Sequence, residues 1–139
     1  MKIVLNVHDV SPQRREEAKL LLKNEVTPLI RKWAPAFGFD GYRIEIGAQE
    51  WGATNWAGGS EYVGQDNTIT INYNMDTNLA VERFGLELTT VHELVHMLHW
   101  SLGVESPPPK SDPQEWTPFE SFVERLTWTI VTGGKYWTR

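Results

Sequence analysis

Apolar and polar residues alternate along the chain in three stretches and follow a helical period in much of the rest. Thr68-Ile69-Thr70-Ile71-Asn72-Tyr73 has the strictest alternation, is rich in β-branched residues, and predicts a strand. Tyr42-Arg43-Ile44-Glu45-Ile46 alternates similarly and Ile3 to His8 more weakly, predicting two further strands. Glu61 to Gly64 predicts a short strand, and Gln65-Asp66-Asn67 a turn. Trp51 to Ser60, rich in Gly, Asn, Ser and Trp, predicts a loop, in which Trp51, Trp56, Gly58 and Gly59 are either packed surface or the rim of a cleft. Between the first two strands, Ser11-Pro12 predicts an N-cap followed by Pro at the first helical position. A helix through Leu20-Leu21-Leu22 follows, kinked or restarted at Pro28 with Thr27 as a second cap, and Gly38 and Gly41 close it.

Two helical stretches, about 77–84 and 86–102, separate near Gly85. In the second, Leu88, Val91, Val95, Leu98 and Leu102 fall on one predicted apolar stripe. Ser106 to Gln114 contains four prolines and predicts a stiff loop. Thr117-Pro118-Phe119-Glu120 opens a last helix running to about Val131, ended by Gly133-Gly134. The order of strand, helices, strands and helices predicts an α+β fold: one domain over 1–139, with a small twisted mixed or antiparallel sheet and helices packed on it.

Three of the four histidines fall between His92 and His99. His92-Glu93-Leu94-Val95-His96 places two imidazoles one helical turn apart on one face, where both can reach a zinc ion at about 2.0–2.1 Å. Glu93 lies about 100° around the axis, beside the ion but off the ligand line, as a general base acting on water requires. The histidine line borders the apolar stripe, so both rings are expected at the core edge, facing a cleft.

A catalytic zinc site takes three protein ligands and leaves one position open. Leu102 stands six residues after His96, where a metzincin has its third histidine, so that class is disfavoured. His99 is a candidate to hydrogen-bond a ligand from behind or to serve as an alternative ligand. Glu120 and Glu124 lie four apart on the last helix, and a carboxylate from a second helix completes a His₂Glu set. Thr117-x-x-Glu120 also reads as a capping box, which would divert Glu120 to the backbone and leave Glu124 as the ligand. From the residues alone both remain open, the other carboxylate orienting a histidine.

HELVH followed by a Glu-x-x-x-Glu helix resembles the gluzincin zinc metallopeptidases, with Glu124 where that group has Asp. The small ImmA/IrrE-like and phage-encoded metallopeptidase-like proteins are a closer resemblance. It is carried by the strand Thr68 to Asn72, the segment Glu82-Arg83-Phe84, the run His92 to His99 with Val95 in place of Gly, and the helix Glu120 to Leu126, and it covers about Asn67 to Ile130. It implies a zincin-like fold with HExxH on a central active-site helix, Zn²⁺ as cofactor, His92, His96 and Glu120 as ligands, and Glu124 beyond them. It also implies that the 68–73 strand is the edge strand beside the metal, where an extended peptide adds, so Thr70, Asn72 and Tyr73 are candidate substrate-binding residues. Tyr62, Tyr73 and Tyr136 are candidates to polarise an oxyanion.

The expected function is zinc-dependent peptide-bond hydrolysis with Glu93 as general base, and the expected partner a peptide or protein substrate. A metal-binding domain that recognises a partner without cleaving it, in the manner of an ImmA-like protein, is the alternative. A SprT-like protease is a third, opposed by zero cysteines, by the lack of a histidine after His99 and by a net charge of −5. That charge also argues against nucleic acid as a partner. No stretch has the length of a membrane span and the first residues lack the apolar run of a secretion signal, so a cytoplasmic location is expected; the expected state is a monomer. Iron, cobalt or nickel would also suit the ligand set. Seven tryptophans are expected mainly in the core or in cleft walls.

Overall fold

The computed structural model describes residues 1–52, 57–77, 85–103 and 118–133. After β1 (Lys2–Asn6) come a 3₁₀ turn at Pro12–Arg14, α1 (Arg15–Leu21), a π-helical turn at Leu22–Val26 and α2 (Thr27–Trp33). Neither predicted cap acts as one. Ser11 directs its backbone N–H and hydroxyl to the Glu50 carboxylate, and the Thr27 hydroxyl bonds the Leu22 carbonyl at 2.8 Å within the helix. Pro28 has no N–H to continue the α-helical ladder, and the turn ahead of it widens to the π form. The segment ends on Gly38, whose φ of 85° is cheap only for glycine.

β2 (Arg43–Gln49), β3 (Gly58–Val63) and β4 (Thr68–Asn74) complete a mixed four-stranded sheet in the order β1-β2-β4-β3. β1, β2 and β4 run parallel, and β3 runs antiparallel to β4. Alternation sets the faces: Ile44, Ile46, Ala48, Ile69, Ile71 and Tyr73 are buried in one core with Ala18, Leu22, Val26 and Ile30 from the first helical segment. The class is α+β, as the element order predicts.

Two expectations about strands are corrected. β3 begins at Gly58, inside the stretch that reads as a loop; its glycines carry no β-propensity, and pairing with β4 makes it a strand. β4 is not an edge strand. Thr70 pairs with Glu45 on one side and Glu61 on the other, and Asn72 pairs with Gly47 and Gly59. The backbone of β4 is therefore used on both sides, and the Tyr73 side chain is fully buried, so Thr70, Asn72 and Tyr73 cannot receive an added peptide strand. Among the described residues the edge beside β4 is β3.

α3 (Gly85–Ser101) lies against β3 and β4, and α4 (Pro118–Thr132) packs on α3. Glu87 ties the first turn of α3 to α2, accepting hydrogen bonds from Trp33 Nε1 at 2.8 Å and Lys32 Nζ at 3.0 Å. The predicted single stripe on α3 divides in two. Leu98 packs against the core over the sheet beside Leu94 and Met97, which lie off the predicted stripe, while Val91 and Val95 meet Val123 of α4 in a second cluster. Leu102 lies just past the helix, before Gly103 with its φ of 76°, and is 72 % exposed. The predicted helix 77–84 has only residue 77 within the described residues. Glu82-Arg83-Phe84, Trp56, the loop Ser106 to Gln114, Thr117 and Tyr136 lie outside them.

Candidate metal centre

The HELVH helix forms as its period predicts, and residues four apart bring His92 and His96 together with their Nε2 atoms 3.2 Å apart. Glu120 meets them from the first turn of α4. Its Oε2 lies 3.2 Å from His92 Nε2 and its Oε1 3.3 Å from His96 Nε2. Ligand atoms of His92, His96 and Glu120 all fall within 4.8 Å of one another, so the group could hold a metal ion. Tetrahedral ligands about 2.0–2.1 Å from a zinc ion stand roughly 3.3–3.4 Å apart, close to the spacings observed.

Packing of Val123 against Val91 and Val95 sets the face of α4 turned toward the histidines. Glu124, one turn beyond Glu120, reaches the other side of the His92 ring, with its Oε2 2.9 Å from Nδ1. Its Oε1 accepts the Trp128 Nε1 hydrogen bond at 3.0 Å, which holds the carboxylate in place. A His92 tautomer protonated at Nδ1 and bonded to Glu124 leaves the Nε2 lone pair directed at the cluster. His96 is wedged between Trp100, stacked at 5.9 Å, and Phe119 at 5.7 Å. Its buried Nδ1 has no hydrogen-bond partner among the described residues.

The charge state follows from this geometry. Burial opposes a charge on His92, but hydrogen bonds to Glu120 and Glu124 and the nearby charge of Glu93 outweigh it and raise its pKa to about 10. Hydrogen bonds from His92 and then His96 lower Glu120 to about 2. Without metal the site is therefore an ion pair with one extra proton, which a cation must displace.

Glu93 is 5 % exposed and points to the sheet side of α3, where Ser60 Oγ donates a hydrogen bond to its Oε1 at 2.9 Å. Ser60 was not visible as a site residue in the sequence, because Gly58-Gly59-Ser60 has neither strand propensity nor a motif. His99 is not drawn into the cluster. Its ring packs on Phe119 at 5.0 Å, and its Nδ1 is buried without a partner among the described residues. Two of the three candidate tyrosines are committed elsewhere: Tyr73 OH shares a 2.6 Å hydrogen bond with Thr90, and Tyr62 OH faces Tyr42 OH at 3.4 Å. Trp51 lies across Gly59 of β3. Among the described residues no helix is long and apolar enough to cross a membrane.

No protein-family model, curated protein or solved structure matches this chain.

Proposed function

We propose that the protein is a zincin-like metallopeptidase whose zinc is held by His92, His96 and Glu120. The observation that carries this reading is the buried Glu93 carboxylate beside a three-ligand cluster of near-tetrahedral spacing. A buried carboxylate costs stability unless it is fully paired, and among the described residues Glu93 has the single hydrogen bond from Ser60. A carboxylate buried there, one residue along from a ligand and off the ligand line, fits a general base acting on water better than a structural support.

A zinc ion there would polarise the scissile carbonyl and lower the pKa of the attacking water toward about 7. Glu93 would take the proton from the attacking water and pass it to the amine released when the C–N bond breaks. With the ion bound, Glu124 would hold His92 in the tautomer protonated at Nδ1, leaving Nε2 for the metal. β3 offers the outer edge to which an extended substrate backbone would pair, in place of the interior β4.

The test is hydrolysis of fluorescein-labelled casein by zinc-loaded protein. Glu93→Gln should retain zinc and lose about 10²–10⁴-fold in rate. Hydrolysis by Glu93→Gln at the wild-type rate would overturn the reading and leave a metal-binding domain that does not cleave.

A further inference from the structure

We propose that Ser60 is a positioning residue for Glu93, its hydroxyl holding Oε1 so that Oε2 is the oxygen that takes the proton. This rests on the peptidase reading of the same site.

The two residues are 33 positions apart and belong to different elements, so the contact exists only through the packing of β3 on α3. That packing is unusually close at one point. A Cβ on Gly58 would lie 2.7 Å from Thr89 Cγ2, 2.8 Å from the Asn72 carbonyl and 3.8 Å from Glu93 Cγ. The missing side chain lets β3 settle against the Thr89–Glu93 turn of α3, and Ser60, two residues along the same strand face, then reaches the carboxylate. Thr89, one turn before Glu93, does not compete, because its hydroxyl bonds the Gly85 carbonyl at 2.9 Å. With one oxygen fixed by a donor, the carboxylate has a single orientation in which to work. The clamp also sits on the strand whose outer edge would receive the substrate backbone, so base and substrate share one support.

Ser60→Ala and Ser60→Thr, each in the full chain and zinc-loaded, test this against a purely structural role. Ser60→Ala should lower kcat on labelled casein about 10–100-fold. KM should stay within about twofold, with zinc content and a cooperative unfolding transition retained. Ser60→Thr, which keeps the hydroxyl, should recover most of kcat. Crystals of zinc-loaded Ser60→Ala should show the Glu93 carboxylate displaced or split between orientations, against one orientation in wild type. An unchanged kcat, a fall carried by KM alone, no rescue by Thr, or loss of zinc or fold in Ser60→Ala would each overturn the assignment. If wild type and Glu93→Gln are equally inert on casein, the peptidase reading is what fails. The crystals then decide the positioning alone: a displaced Glu93 upholds it and an unmoved one overturns it.

Discussion

Nδ1 of His92 lies 2.9 Å from Oε2 of Glu124, while Nε2 of the same ring lies 3.2 Å from Oε2 of Glu120. Two carboxylates one turn apart on α4 thus grip opposite nitrogens of one imidazole. Only the Glu120 side also meets His96, so the two carboxylates do different work.

Glu120→Ala should therefore lose stoichiometric zinc, measured by elemental mass spectrometry on protein purified without a metal-affinity step. Glu124→Gln should keep a ligand set of three and lose about 10–100-fold in zinc affinity. Equal loss in both variants, or greater loss in Glu124→Gln, would reverse the assignment of roles.

Zinc should stabilise the fold, since the three ligand atoms come from α3 and α4 and are assembled only when those helices pack. At free zinc about 100 times the dissociation constant the gain is about 2.7 kcal/mol. A thermal melt with and without zinc reads it. Glu120→Ala should show little of the shift, and 1,10-phenanthroline should return the wild-type melt to the metal-free value.

Metal uptake should depend on pH because His92, at about 10 in the metal-free site, carries a proton that the ion must displace. Apparent affinity should rise about tenfold per pH unit between about pH 7 and 9, with roughly one proton released per ion, read by calorimetry in buffers of differing ionisation enthalpy. A flat affinity over that range would contradict the protonated His92. The signs for the metal-free fold run in opposite directions. The raised pKa of His92 stabilises fully below 6.5, and that contribution is lost as pH rises through about 10. The lowered pKa of Glu120 stabilises above 4.5, and that contribution is lost as pH falls through about 2.

Gly58→Ala should destabilise by about 1–3 kcal/mol, because the added methyl meets Thr89 and the Asn72 carbonyl at under 3 Å and β3 must move off α3. Urea denaturation measures the cost. An unchanged midpoint would show that the strand yields freely there.

What the sequence by itself determined is what the covalent chain imposes locally. The i, i+4 geometry of a helix was enough to pair His92 with His96 and Glu120 with Glu124, and to set Glu93 off the ligand line. Strict alternation was enough to write the strand at Thr68. Both follow from periods that a few neighbouring residues enforce. The tertiary structure decided everything that joins distant segments. Val123 seating against Val91 and Val95 turned α4 so that Glu120 meets both Nε2 atoms and Glu124 takes Nδ1. Pairing of β4 on both sides made it interior and gave the edge to β3. The close seating of Gly58 brought Ser60 to Glu93. Side-chain periodicity says which face of an element is apolar, but strand order and helix facing are set by burial summed over the whole core, which no local pattern contains.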